Sequence, residues 1–245
     1  MTSRRILRLS GSDTRTFLQG MISNDIDKID AGLVYAALLT PQGKYIADFF
    51  VSADGADVLL DTDSAQTDAL IARLNMYKLR ADVQISEADL HVHRGLTDLP
   101  ADGYLDPRHD ALGWRAYRAT PATDEVDWTA IEVAHVIPTS GIELTSDTFI
   151  LEVGFERLNG VDFRKGCYVG QEVTARMKHK TELRKGLAQV QVTGAAETGT
   201  PIEVDGKPAG TLLSRSGDVA LAYLRYDRAR GPMQAGDAQV VWHDK

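Results

Sequence analysis

Residues 164–176 read R-K-G-C-Y-V-G-Q-E-V-T-A-R, and the chain changes texture across them. On the N-terminal side, strand-like and helix-like stretches alternate. R-I-L-R-L (5–9) has the alternation of an edge or half-buried strand. G-S-D-T-R-T-F-L-Q-G-M-I-S-N-D-I (11–26) reads as a turn and a helix, with Ser12 or Asp13 as N-cap and Phe17, Leu18 and Met21 as its apolar stripe. L-V-Y-A-A-L-L-T and Y-I-A-D-F-F-V-S, joined by P-Q-G-K, form a hairpin, and D-V-L-L-D-T adds a strand. A helix then carries Leu70, Ile71, Leu74 and Tyr77 on one side, and A-D-V-Q-I-S-E closes a strand–helix–strand unit. The stretch 91–125 is richer in Gly, Pro and Asp. Trp128–Val136 is expected to be helical, with Pro138 limiting it.

Beyond Thr181 the pattern becomes short strands cut by Gly and Pro: K-G-L-A-Q-V-Q-V, T-P-I-E-V, K-P-A-G-T-L-L-S and D-V-A-L-A-Y-L-R. That is the pattern of a small antiparallel barrel or sandwich. The expected organisation is α+β, with a body over residues 1–180 and a β domain over 181–245.

The 245 residues suffice for a large core or for several small ones. No run of about 18 apolar residues exists to span a bilayer. The first ten residues lack the apolar core of a signal peptide. A single cysteine excludes an intrachain disulfide and suits a reducing compartment. Between a cytoplasmic protein and a processed organellar one, the lack of a recognisable leader favours the cytoplasm, and a cytoplasmic protein is expected. A net charge of −8 argues against general binding of nucleic acid or anionic membrane. Charge is unevenly spread, however. Between Arg164 and Lys185, seven basic residues face Glu172 and Glu182, an excess of five that leaves the rest of the chain at −13. This basic island is either a site for a small anion or a solvated surface.

The same stretch holds the only cysteine, Cys167, between Gly166 and Gly170. Thiolates rather than thiols attack and ligate, and nearby cations such as Arg164 and Lys165 favour the thiolate. If Gly170 starts the helix Q-E-V-T-A-R-M-K, its positive N-terminal end faces the thiol loop. Glu172 and Arg176 are spaced as an ion pair on that helix. A lone cysteine is otherwise a small buried hydrophobe, and the sequence leaves both readings open. One thiol cannot hold an iron–sulfur cluster or structural zinc, so no metal is expected within the chain alone. His91 and His93 share a strand face but lack a third ligand. A Cys167 pairing with His135 or His179 is possible in residue type only.

K-G-C-Y-V-G-Q-E, Lys165 to Glu172, resembles the signature of the YgfZ-type folate-binding proteins, and Arg176 matches the arginine four residues on. G-S-D-T-R-T-F-L-Q-G-M-I-S-N-D, L-T-P-Q-G-K-Y-I-A-D and D-V-A-L-A-Y-L-R are similar to family segments in family order, so the resemblance covers nearly the whole chain. It implies the fold of the glycine-cleavage aminomethyltransferase (T-protein): two interleaved α+β subdomains and a C-terminal antiparallel β-barrel. It also implies a tetrahydrofolate-binding accessory factor for assembly or repair of iron–sulfur clusters, with Cys167 as its working thiol. Cys167 would then either ligate a transient cluster shared with a partner or take part in thiol redox chemistry. The partners would be iron–sulfur assembly proteins or client enzymes, with the chain itself a monomer.

The motif loop so implied comprises Lys165, Gly166, Tyr168, Gly170, Gln171, Glu172 and Arg176. Trp128 matches a tryptophan associated with folate, whose indole could stack on a pterin, or it is a core anchor. Asp48 matches the transferase's catalytic aspartate, or is an outward polar residue on the second hairpin strand. Asn24 and Asp25 are placed along the same channel. Val136 and Ile150 stand where relatives often have Gly and Pro. The alternatives are a folate-dependent aminomethyl or one-carbon transferase using Asp48, and a scaffold whose signature loop is only an interaction surface.

Overall fold

Hydrophobic alternation between turn residues builds most of the elements in the computed structural model, which describes residues 3–123, 125–180 and 182–243. Thr181, where the sequence reading starts the β domain, lies outside the described residues. By contact density the chain divides into two units, residues 1–126 with 155–175, and residues 127–154 with 176–245.

The first unit contains β1 (Arg4–Ser10), α1 (Thr14–Gln19), β2 (Val34–Leu39), β3 (Tyr45–Asp54), β4 (Asp57–Asp63), α2 (Ser64–Lys78) and β5 (Gln84–Ala88). The five strands form one antiparallel sheet in the order β2-β3-β4-β1-β5, so β1 is interior rather than an edge. Its core joins Leu7, Leu9, Leu38, Phe49, Val51 and Leu60 of the sheet to Leu70 and Leu74 of α2. The β2–β3 hairpin forms as expected, its turn held by Thr40 N–H to the Lys44 carbonyl at 2.8 Å and closed by Gly43 at φ +75. A three-stranded sheet follows, β6 (His91–Gly95), β7 (Tyr104–Leu105) and β8 (Trp114–Arg118), in the order β6-β8-β7.

The first helix is shorter than its sequence pattern. It stops at Gly20, because the next residues are drawn to the edge of β2, where Ile22 bridges Leu38 and Ser23 N–H donates to the Ala37 carbonyl at 2.9 Å. Tertiary pairing outweighs local propensity here. Asp13 caps the helix by position only, since its carboxylate accepts from Asp82 N–H instead.

The second unit contains α3 (Trp128–Ala134) and a closed antiparallel barrel. Before the barrel, α4 (Gln171–Lys180) carries the chain out of the motif loop. The barrel strands are β9 (Lys185–Thr193), β10 (Pro201–Val204), β11 (Lys207–Ser216), β12 (Val219–Arg225), β13 (Met233–Ala235) and β14 (Ala238–Val241). Their order is β10-β11-β12-β9-β14-β13, which removes every sheet edge. Inward residues Val190, Val192, Ile202, Leu212, Ala222 and Val240 fill the interior. α3 ends two residues short of expectation, with His135 as C-cap and Val136 at φ +54, a conformation that suits glycine and strains a β-branched residue. No helix among the described residues is long and apolar enough to cross a membrane.

Candidate functional site

Asp162 to Gly170 crosses the turn that follows α1 and is tied to it on both flanks of Cys167. On one side Asp162 N–H donates to the Ser23 carbonyl at 3.0 Å, and on the other Val169 N–H donates to the Gly20 carbonyl at 3.2 Å. Between these ties the Lys165 ammonium is turned inward. It donates to the carbonyls of Gln19 (2.8 Å), Ile22 (2.7 Å) and Asn24 (2.8 Å), groups left without partners where the chain leaves α1. It also sits 5.1 Å from the centre of the Tyr168 ring. Burial pushes the Lys165 ammonium down to about 8, against the carboxylates of Asp25 and Asp162, which pull it up. Lys165 is therefore not a cation facing the thiol, as the sequence reading had it, but the clamp beneath the loop.

With Lys165 and Tyr168 buried on either side, Gly166 and Cys167 form the exposed crest. The two flanking glycines have different reasons. Gly170 has φ +84, and a Cβ there would lie 2.6 Å from the Thr40 carbonyl oxygen, so only glycine lets the loop meet the hairpin turn. Gly43 answers from the other side, where a Cβ would lie 2.9 Å from Val173 Cβ. A Cβ at Gly166 would meet nothing within 4 Å.

Tyr168 is buried, which raises its hydroxyl to about 12. The Gln171 amide lies 3.5 Å from the Gly166 carbonyl. Glu172 and Arg176 both face solvent on α4, and no ion pair joins them among the described residues; water competes with so exposed a pair. The basic island is correspondingly dispersed. Lys165 points inward, Lys185 pairs with Glu152 at 3.6 Å in the second unit, and Arg164 stays exposed.

The remaining candidates are not gathered at the thiol loop. Asp48 is buried rather than outward, because β3 lies inside its sheet. Its carboxylate accepts from the hydroxyls of Tyr35 (3.0 Å) and Tyr45 (2.5 Å). Asn24 uses all its hydrogen-bonding capacity internally: its amide donates to the carbonyls of Tyr35 and Asn159, and its oxygen accepts from Asp25 N–H and the Lys28 ammonium. Asp25 accepts from the Gln19 amide and from Asp27 N–H. Trp128 opens α3 in the second unit with 5% of its surface exposed. His93 Nε2 is spent on the Thr120 carbonyl at 2.7 Å, and no group of three or more metal-ligating side chains occurs among the described residues.

Sequence reasoning missed two features of the first unit. One is a buried ionic network in which Asp61 meets Arg4 and Arg115, and Asp106 meets Arg115 and Arg108, around the Phe50 ring. Its members are scattered along the chain, and only D-P-R (106–108) hinted at it. The other is a cavity of about 530 Å³ beside the thiol loop, walled by Pro41 of the hairpin turn, Tyr77 of α2, and Tyr168 and Val169.

Comparison with known proteins places this geometry. Residues 184–244 match the family described as "CAF17, C-terminal beta-barrel domain". The mitochondrial iron–sulfur cluster assembly factor IBA57 homolog of Mycosarcoma maydis is 30% identical over 216 residues, covering 74% of this chain and 54% of its own length. The mitochondrial iron–sulfur cluster assembly factor IBA57 of Mus musculus is 28% identical over 291 residues, 98% of this chain and 81% of its own. That of Homo sapiens is 28% identical over 279 residues, 95% and 78%. The chain thus spans about half the length of the fungal relative and about four fifths of the mammalian ones.

Among solved structures, the glycine cleavage system aminomethyltransferase T from Bartonella henselae superposes with a TM-score of 0.76 at 12% identity, over 98% of this chain and 83% of that one. The expected T-protein-like α+β fold with a C-terminal barrel is therefore correct. The homologues are iron–sulfur cluster assembly factors bearing the IBA57 name, close to the YgfZ-type resemblance but not the same family name. Their names also overturn the expectation of a cytoplasmic protein, since all three are mitochondrial.

Proposed function

We propose that this chain is an iron–sulfur cluster assembly factor of the IBA57 kind, and that Cys167 is the ligand it offers to a cluster in transit. The observation that carries this reading is the exposed position of its only thiol, on a crest whose flanks are fixed to the α1 turn. A rigidly held, exposed thiol can meet a metal centre on another protein without the loop having to reorganise. The proton leaves Sγ for solvent as the sulfur–iron bond forms. One thiolate cannot hold a cluster alone, so the other ligands come from the partner, an assembly protein or a client enzyme. The cluster is cargo, and the chain is read as a monomer that meets its partners transiently.

Tetrahydrofolate does not fit the residues aligned with its contacts. Asp48 and Asn24 spend their polar atoms within the first unit, Asp25 engages one carboxylate oxygen there, and the Trp128 ring is buried. A pterin would find the Asn24 amide and both Asp48 oxygens already engaged. The transferase reading weakens on the same ground, because two tyrosine hydroxyls occupy the carboxylate it would use as a base.

Anaerobic reconstitution with ferric iron and sulfide tests the ligand role, with glutathione standing in for the partner's thiolates. Wild-type protein is expected to retain a cluster by visible absorption after desalting, and Cys167→Ala to retain none. Equal retention by both would remove the thiol from the account.

A further inference from the structure

We infer that the cavity beside the thiol loop, together with the exposed Leu79 two residues beyond its lining Tyr77, is a docking site for a partner protein segment that carries a leucine or aromatic side chain flanked by carboxylates. The inference rests on the proposed role of Cys167 only for the reason such a partner arrives. Tyr168, which directly follows Cys167, lines it together with Tyr77, Pro41 and Val169, the last of which packs against the core. An occupant of this space is one residue from the thiol.

The chain leaving α2 is built in a way its own folding does not require. Leu79 has 86% of its surface in solvent and a backbone at φ +45, ψ −102, a conformation unfavourable to any residue with a Cβ. Glycine, which has no Cβ, would end the helix there without that penalty. A leucine held in strain and in water has no packing role in the isolated chain, and strain of this kind gathers at sites of function. Met76, next to Tyr77 in α2, is half exposed and adds a second apolar side chain to this stretch. A small metabolite would fill the cavity and leave this margin uncovered, whereas a protein segment covers both.

Charge selects the kind of segment. Residues 73–80, R-L-N-M-Y-K-L-R, hold three cations and no carboxylate in a chain of net charge −8. Lys78 reaches back to the Val83 carbonyl. Arg73, one turn before Tyr77, and Arg80, next to Leu79, have no carboxylate partner among the described residues. Glu172 is the one carboxylate among the residues that line the cavity. The arrangement suits a segment whose apolar anchor enters between Tyr77 and Tyr168, whose carboxylates lie toward Arg73 and Arg80, and whose backbone N–H or hydroxyl faces Glu172.

The test is fluorescence anisotropy with a panel of labelled acidic peptides carrying a central Leu, Phe, Tyr or Trp between Asp and Glu residues, against the same peptides with Lys in place of each acid. At least one acidic peptide is expected to bind saturably below about 1 mM, with the Lys versions at least about tenfold weaker. Leu79→Gly suits its backbone conformation, so it is expected to keep or raise the unfolding temperature while weakening that peptide about fivefold or more. Arg73→Glu with Arg80→Glu is expected to weaken it about tenfold. Saturable binding by no acidic peptide, or affinities within twofold of wild type in both variants, overturns the inference. Cys167→Ala is expected to bind the peptide as wild type does, so loss of the cluster role and loss of the docking site are read separately.

Discussion

Replacing Lys165 with Met keeps the length of the side chain and removes the ammonium that holds three main-chain carbonyls at 2.7–2.8 Å. Each carbonyl left unpaired in a buried place costs about 1–2 kcal/mol, so the gross loss is about 3–6 kcal/mol. Part of this is returned, because a buried charge no longer has to be desolvated, a penalty visible in the lowering of the ammonium to about 8. A net destabilisation of about 2–4 kcal/mol follows, which for a chain of this size lowers the melting temperature by about 5–12 °C.

Differential scanning calorimetry measures the melting change. Hydrogen exchange at Asp162 and Val169, whose N–H groups make the two flanking ties, locates the loosening. Thiol alkylation separates the clamp from the alternative of an electrostatic activator. A loosened crest keeps or increases the alkylation rate of Cys167 at neutral pH, whereas removal of an activating cation slows it and leaves stability alone. A Lys165→Met protein that melts within 1 °C of wild type, exchanges normally at both amides and alkylates more slowly would refute the clamp.

The two motif glycines should behave differently by chemical denaturation. Gly170→Ala, at φ +84 against the Thr40 carbonyl, is expected to cost about 2–4 kcal/mol, and Gly166→Ala, in open space, less than about 0.5 kcal/mol. Val136→Gly relieves a β-branched residue at φ +54 and is expected to be neutral to stabilising by about 1 kcal/mol, read as a shift in denaturation midpoint.

Asp106 is held far below the ordinary carboxylate range, against the cost of its burial, by Arg108 and Arg115. Its contribution to stability is therefore present above about pH 4 and lost as acid protonates the unfolded chain first. Asp106→Asn should cost about 3–5 kcal/mol at pH 7 and flatten the fall in stability below pH 4. For Lys165 the sign is reversed. Its folded value near 8 lies below the unfolded value of about 10.4, so global stability gains from this group as pH rises between them. The neutral amine, however, has only two N–H donors for three carbonyls. Exchange at Val169 is therefore expected to quicken above pH 8 without a matching fall in melting temperature.

The hairpin, α2 and the barrel strands were legible because each depends on local alternation and on Gly or Pro turns within a few residues. Met21 shows the limit: its spacing from Phe17 and Leu18 is helical, yet pairing of Ser23 with Ala37 ends the helix first. Cys167 and its glycines could be found from sequence, since a lone thiol in a basic, glycine-flanked stretch is visible there. The direction of Lys165 could not, because its partners lie more than 140 residues away. Asp48 stayed open between a site carboxylate and an outward polar residue for a similar reason, as strand alternation cannot tell that two tyrosines meet the carboxylate inside the sheet. Charge count alone drew the basic island, but side-chain direction disperses it.

The central claim, that Cys167 serves iron–sulfur enzymes as a ligand, is tested most directly in cells that lack this chain. They are supplied with wild-type or Cys167→Ala protein at equal level and assayed for the specific activity of several iron–sulfur enzymes. The account expects the variant to fold with an unchanged melting temperature and to restore less than about a tenth of the activity that wild type restores. Full restoration by Cys167→Ala would contradict it.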